Sequence, residues 1–510
     1  MLRTIRITLA TVMFVCITWL FLDFTGTAYE WFSWMPKLQF LEAVLAVNIG
    51  VIVFLVILTL VCGRIYCSVI CPLGIMQDIF GWLGKKQKKN RYTYSKEMKW
   101  LRYPVLVLFI IALVAGIGTL FQLLAPYSAY GRIATYLLQP VWVAGNNVLA
   151  TLAERADSYA FYHVSKEIPN YYLITIIAAW TWAIVAALAW NYGRTYCNTI
   201  CPVGTFLSFF SRFSFFKIHF DESKCKNCSM CSKNCKAACI DYKTHTVDNS
   251  RCVVCGDCIE SCKFRALEYS FSRLSRPSRL SRQSRQSSPS RESSKTSSTT
   301  IDESKRSFLV ATALLTTAAM AQQKDKFVDG GLKEIEDKVA PERQTLLTPP
   351  GSKSMKNFAQ HCTGCQLCVS ECPNEVLRPS SDLMHLMMPT MSYELGYCRP
   401  ECTRCSEVCP AGAILPIQKE DKSSTQLGHA VWIKKNCVPL TDGVDCGNCA
   451  QHCPVGAIEM VPSDPNDEES PYVPAINEAR CIGCGACEYL CPARPYSAIY
   501  VEGHEVHREL

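Results

Sequence analysis

The stretches "GRIYCSVICPLG" at 63–74 and "GRTYCNTICPVG" at 193–204 agree at eight of twelve positions, and each follows a long apolar run. A motif that recurs together with the segment before it marks an internal repeat. The chain holds four such runs, at about 5–24, 39–62, 101–124 and 171–191. Each is near the roughly 20 residues an α-helix needs to cross a bilayer. The sequence therefore predicts an α-helical membrane bundle of four spans, built as two spans and a motif, twice over.

Charge orients the bundle. The loop "GWLGKKQKKNRYTYSKEMKW" at 81–100 carries seven Lys and Arg, and the short N-terminus carries Arg3 and Arg6. The loops at 25–38 and 125–170 are only weakly charged. Positive loops stay in the cytoplasm. This places the N-terminus, the 63–100 loop and the chain after 192 there, with both motifs at the cytoplasmic ends of the second and fourth spans. Within the outer loop, 133–154 reads as a helix, either on the membrane surface or in an ordinary loop.

The 31 cysteines fall mostly into sets of four with gaps of two or three residues. Such spacing belongs to iron–sulfur ligation. A disulfide scaffold is usually a short secreted chain. The first domain is 1–215. A cytoplasmic unit at 216–269 contains "CKNCSMCSKNCK" and "CVVCGDCIESCK", both C-x2-C-x2-C-x3-C. In two-cluster ferredoxins the fourth Cys of each run ligates the other cluster. One 4Fe-4S cluster is thus expected on Cys225, Cys228, Cys231 and Cys262, and another on Cys252, Cys255, Cys258 and Cys235. Lys236 and Lys263 stand where Pro usually follows the fourth Cys. Cys239 reads as a buried spare thiol or an alternative ligand, and Cys16 and Cys62 as packing residues.

Residues 270–306, with the tandem "SRLSRPSRLSRQSRQ", cannot bury a core and read as a disordered basic linker. Residues 307–323 follow Lys305-Arg306 with a mild apolar stretch ending at Ala319-Met320-Ala321, the layout of an export signal or a fifth, short membrane anchor. The domain at 324–510 is therefore placed outside the membrane. Charge agrees: 1–323 holds 35 Lys and Arg against 18 Asp and Glu, whereas 324–510 holds 17 against 26. Four more sets follow in it: Cys362, Cys365, Cys368 and Cys372; Cys398, Cys402, Cys405 and Cys409; Cys437, Cys446, Cys449 and Cys453; and Cys481, Cys484, Cys487 and Cys491. Six sets predict six 4Fe-4S clusters and two α+β ferredoxin-like domains. Sequential and nested exchange of fourth cysteines both fit the spacing of the last four runs.

Cys67, Cys71, Cys197 and Cys201 remain, in the repeated motifs. They read as one shared metal or cluster site, as two dithiol pairs, or as structural thiols at helix ends. Arg64 and Arg194 read as interfacial residues near lipid headgroups or as partners of an anionic site. No histidine lies in a predicted span and no C-x-x-C-H occurs, so no haem is expected. No phosphate-binding glycine pattern stands where a nucleotide site needs one, and no nucleic-acid partner is expected. The chain reads as a carrier of single electrons.

The two motifs followed by a two-cluster ferredoxin resemble the NapH/MauN family of ferredoxin-type membrane proteins. The NosR and CcoG families share the Cys-x-x-x-Cys-Pro elements. The signal-like segment with four cluster runs resembles NapG, a periplasmic polyferredoxin, so the whole resembles a NapH–NapG fusion. The resemblance implies a bacterial inner-membrane protein, quinol-dehydrogenase-like, that takes electrons from the quinone pool or a cytoplasmic donor and passes them to a periplasmic reductase. It also implies nested pairing of the exported runs. The alternative, from the CcoG and MauN relatives, is a redox maturation factor that supplies electrons for assembly or metal loading of another protein.

Overall fold

The apolar runs form helices, but only two are continuous. In a computed structural model, which describes residues 2–87, 92–158, 161–164, 172–271, 336–467 and 470–510, Leu2–Leu22 and Tyr172–Tyr192 are unbroken and long and apolar enough to cross a membrane. The run at 39–62 divides into Phe40–Leu45 and Ile49–Cys62. Val47 between them has a φ of 52°, and the Asn48 side chain caps the second helix by accepting from the Val51 N–H. The run at 101–124 divides into Lys99–Ala115 and Gly118–Leu124, parted at Gly116, whose backbone is left-handed. The expectation of four continuous spans is corrected to two whole helices and two broken ones. Hydropathy sums over a cap and a left-handed turn that each end a helix. The Ser/Arg linker from 272 and the segment at 307–323 lie outside the described residues.

The helix expected at 133–154 starts earlier. Pro126–Ile133 continues through a π-helical turn at Ala134–Leu138 into Gln139–Glu154. Residues 125–137 are all buried, so its first half is neither a surface nor a loop helix but part of the core.

The repeat is preserved in three dimensions. Ile49–Cys62, Gly63, Tyr66–Val69 and Pro72–Gln87 in the first copy match Tyr172–Tyr192, Gly193, Thr195–Thr199 and Pro202–Ser211 in the second. In both, the motif proline opens the final helix, where its fixed φ and missing N–H cost nothing. In both, the glycine turns the chain with a positive φ, 77° at Gly63 and 69° at Gly193.

Two units cap opposite ends of this bundle. In the first, strand Phe216–Phe220 pairs antiparallel with Leu267–Phe271 and closes the two-cluster unit. In the second, Thr425–Trp432 pairs with Ile499–Glu509, and two shorter ribbons join Leu377–Pro379 to Pro389–Met391 and Ile458–Pro462 to Tyr472–Ile476. The first helix fixes their placement. Near its start Arg3 pairs with Asp257 at 3.0 Å, while beyond its end Gly26 lies against the Arg404 guanidinium and the Tyr29 hydroxyl donates to Glu407 at 2.5 Å. The Ile49–Cys62 helix runs the other way. Ala46 before it lies against Gly412, and the Cys62 carbonyl at its end accepts from the Tyr269 hydroxyl at 3.0 Å. One hydrophobic core runs through the bundle into both units, and a smaller one lies in the far half of the second.

Candidate metal centres

The 24 cysteines of the six runs gather into six groups of four, and each group takes its fourth cysteine from a neighbouring run. Cys225, Cys228 and Cys231 share a cavity with Cys262. Cys252, Cys255 and Cys258 surround Cys235. In the second unit Cys362, Cys365 and Cys368 face Cys409 across one cavity, while Cys398, Cys402 and Cys405 neighbour Cys372. Further out, Cys437, Cys446 and Cys449 share a cavity with Cys491, and Cys481, Cys484 and Cys487 share one with Cys453. Adjacent runs therefore exchange their fourth cysteines, and the nested pairing implied by resemblance is corrected. The reason is local: a short ribbon inside each half folds one run back onto the next.

The residues fit an iron–sulfur cluster. In four of the six runs the backbone is left-handed at two positions flanking the second cysteine or following it: Asn227 and Ser229, Val254 and Gly256, Gly364 and Gln366, Gly483 and Gly485. Alternation of this kind turns successive N–H groups into a concavity that receives anions, iron–sulfur clusters among them. The runs with widened first gaps lack it. Backbone N–H groups also reach the sulfurs: Ala266 to Cys262 at 3.3 Å, Ile414 to Cys409 at 3.4 Å, Ala457 to Cys453 at 3.2 Å and Ala498 to Cys491 at 3.3 Å. Among the described residues no three His, Cys, Asp or Glu side chains are close enough to hold a single metal ion.

The sets stand in file. Cys228 is exposed at the outer side of the first unit, and the Cys252 set faces the bundle, with Val254 against Gly63. At the other end the Cys365 carbonyl lies against Gly131, and Gln122 donates to the Cys362 carbonyl at 3.0 Å. The Cys398 N–H donates to the Cys484 carbonyl at 2.9 Å, which joins the next two sets. The buried Tyr393 sits between them, donating to Gly483 at 2.7 Å. The Cys437 set comes last, in the separate outer core.

Both motifs clasp the loop around the Cys252 set. At Gly193 a side chain would collide with the Lys236 carbonyl, which accepts from the Arg194 N–H at 2.7 Å. Asn198 donates to the Ala237 carbonyl at 3.2 Å and Arg64 to the Ser250 carbonyl at 3.1 Å. Arg64 and Arg194 are 0% and 1% exposed, so the interfacial reading is corrected. Each arginine crosses to the other repeat: Arg64 donates to the Cys197 carbonyl at 3.2 Å, and Arg194 to the Cys67 carbonyl. The four motif cysteines are brought together and buried. Cys239 is also buried, its sulfur 3.5 Å from that of Cys235.

Several functional candidates escaped the sequence reading. Asp78 pairs with Arg6 and Arg194 at 2.7 Å and with Lys236 at 2.8 Å. Burial works against its charge, yet Arg194, Lys236 and Arg6 outweigh burial and hold its carboxyl well below the usual range. These groups line a cavity of about 390 Å³ together with Ile7, Ala10, Ile75, Ile79 and Trp82. Gln77, which also lines it, donates to the Cys197 sulfur at 3.2 Å. Arg132 is wholly buried and donates to the Gln122 carbonyl at 2.9 Å. Glu42 is 1% exposed with one oxygen lacking a partner. Of these only Glu42 had a sequence signal, as the sole charge in the apolar run at 39–62.

Comparison with known proteins agrees with the cluster chemistry. The 4Fe-4S binding domain family (Fer4_5) matches residues 44–90 and 172–221, and the 4Fe-4S dicluster domain family (Fer4_7) matches 351–424 and 444–494. The ferredoxin-type methylamine utilization protein MauM of Methylobacillus flagellatus is 28% identical over 29% of this chain and 64% of its own. The ferredoxin-type protein NapG of Escherichia coli (strain K12) is 27% identical over 32% of this chain and 75% of its own. An uncharacterized protein of Methanocaldococcus jannaschii is 26% identical over 35% and 54%. The chain thus spans less than two-thirds of the length of the MauM and M. jannaschii proteins. No solved structure matches it. The chain carries two 4Fe-4S ferredoxin-type domains.

Proposed function

We propose that this protein is a membrane-embedded electron conduit, which takes electrons from quinol on one side of a bacterial inner membrane and delivers them through 4Fe-4S clusters to a reductase on the other. The observation that carries this reading is the file of cysteine sets entering one end of the bundle and leaving the other. Each set, when loaded, supplies a one-electron acceptor. Relatives named as ferredoxin-type proteins, NapG and MauM among them, accord with an electron-transfer role.

Several features support a bilayer around the bundle. Val12, Val15, Phe54, Ile57, Ile111 and Val114 lie exposed on its outer faces. Contiguous apolar surface of this kind needs cover. Trp31 and Trp34 lie exposed near one end and Trp82 and Trp100 near the other, where the interfaces of a membrane favour tryptophan, while the exposed Trp180 lies within the Tyr172–Tyr192 helix. Residues 216–306 then lie in the cytoplasm and 324–510 in the periplasm, with the NapH-like and NapG-like parts joined in one chain. The ligands are the 24 cysteines of the six sets.

The Asp78 cavity suits a quinol. Apolar and charged side chains both line it, and it borders both Lys236, next to Cys235, and Gln77. Arg6 and Lys236, both lining it, can hold a quinol oxygen. Oxidation of a quinol releases two electrons and two protons, and clusters held by the adjoining cysteine sets would supply one-electron acceptors. The test is anaerobic addition of menaquinol or ubiquinol to purified full-length protein, followed by electron paramagnetic resonance. The reading predicts reduced-cluster signals, and a raised KM for quinol in Ile79→Trp with iron content unchanged. A quinol that leaves every cluster oxidised would overturn it.

A further inference from the structure

We propose that Lys422 raises the reduction potential of the cluster held by Cys398, Cys402, Cys405 and Cys372, and makes it the first of the four clusters of the second unit to accept an electron.

The place of Lys422 is the first argument. The helix Lys419–Ser424 is polar almost throughout, and Lys422 is its only buried residue, 5% exposed. An ammonium has three donors. One reaches the Arg399 carbonyl and one the Cys402 carbonyl, the latter at 2.6 Å. The Cys398 sulfur is within hydrogen-bonding reach as well. All three acceptors lie in the widened first gap of this run, 398–402. Carbonyls satisfy donors but bring no net charge, and no carboxylate among the described residues pairs with Lys422. A buried charge without a counter-charge is strongly destabilising. Thiolates that hold a cluster beside Lys422 supply that counter-charge.

What the run lacks is the second argument. It is one of the two runs without a left-handed backbone concavity. Among the described residues no backbone N–H donates to the sulfur of its fourth ligand, Cys372, whereas Cys409, Cys453 and Cys491 each accept one. Hydrogen bonds to the sulfurs and net charge both set the potential of a cluster. Here a full positive charge stands in for the missing neutral donors, and a charge-assisted hydrogen bond is roughly twice as strong as a neutral one.

Contrast with the neighbouring sets is the third. Lys422 bears on Cys405 as well as on Cys398. Cys365 has charges of both signs beside it, Arg132 and Glu42. Cys487 and Cys481 neighbour the carboxylates of Glu488 and Glu478. Lys338 lies near Cys491, but it is half-buried and has Glu488 beside it. Reduction adds one electron and so one negative charge, which positive surroundings favour. The Cys398 cluster is thus reduced by one electron as the Cys362 cluster is oxidised by one, with the Lys422 ammonium stabilising the product.

The proposal rests on the reading of these sets as cluster sites, but not on quinol as the donor. The test is a redox titration of the purified full chain with dithionite, followed by electron paramagnetic resonance. Signals are assigned through Cys362→Ser, Cys372→Ser, Cys446→Ser and Cys481→Ser, each of which touches a different set. The signal altered in Cys372→Ser is expected to titrate at the highest potential of the four. Lys422→Gln is expected to shift that signal alone to lower potential with iron content unchanged. Lys422→Arg, which keeps the charge, is expected to restore most of the shift. Another of the four signals at the highest potential would overturn the proposal, and this order decides the matter where Lys422→Gln fails to fold. So would a Lys422→Gln protein that titrates like the wild type, or equal shifts in the Gln and Arg variants, the mark of a merely structural clamp. Absence of any signal altered by Cys372→Ser would overturn the cluster reading of that set together with the proposal. Protein that quinol cannot reduce, with the order of signals as expected, would overturn the quinol reading and leave this one standing.

Discussion

At Gly193 the chain meets two constraints at once. Its φ of 69° is left-handed, and a side chain there would collide with the Lys236 carbonyl. Gly193→Ala should therefore cost at least about 1–2 kcal/mol from the backbone alone, plus whatever docking of the two-cluster unit is lost. Limited proteolysis should show that unit cleaved faster in the variant, while Gly145→Ala, where open space surrounds the added methyl, should behave as wild type. The repeated Gly-Arg was legible in the sequence as a repeat. Its purpose was not, because Lys236 and Val254 approach the two glycines from a unit far along the chain. Asp78 was hidden for the same reason: its three cationic partners come from the first helix, the second motif and the ferredoxin loop.

Among elements, the exchange of fourth cysteines is the most direct finding. Cys409→Ser should remove or convert the cluster of Cys362, Cys365 and Cys368, lowering iron by up to about four per chain. Cys372→Ser should instead affect the set of Cys398, Cys402 and Cys405. Nested pairing predicts different partners for both, and spectra of the two variants separate the schemes. The terminal strand offers a pH test. Burial, aided by His504, pushes the His507 imidazole down to about 4. One ring nitrogen bonds Thr348 at 2.9 Å and the other is buried without a partner. The folded state thus favours neutral His507, and its contribution is complete above about pH 6.5 and lost as pH falls toward about 4. At pH 5 the wild type should have lost about 2 kcal/mol relative to His507→Gln, compared with their difference at pH 7.5. Thermal denaturation of both at the two pH values measures this.

Element boundaries were legible where a periodic or apolar run ended in clear punctuation. They failed at Val47–Asn48 and at Gly116, where a side-chain cap and a left-handed turn break runs of uniform hydropathy. They failed also at 125–137, whose mild polarity reads as loop although it is packed inside the bundle.

For the whole molecule, the spacing of the 24 ferredoxin cysteines and the asymmetry of charge were readable from the chain. Contacts at Arg3 and Gly26, either end of one helix, set the two units at opposite ends of the bundle. Order within the file was not readable, because it depends on which carbonyl meets which N–H across runs, as Cys398 meets Cys484. Electron passage from one end of the molecule to the other is the property on which everything else depends. Full-length protein in sealed liposomes, with a membrane-impermeant reductant trapped inside and ferricyanide outside, measures it. Ferricyanide should be reduced in proportion to protein, and Cys365→Ser, at the joint between bundle and outer clusters, should abolish most of that rate. Fully loaded protein that leaves ferricyanide unreduced would contradict the account.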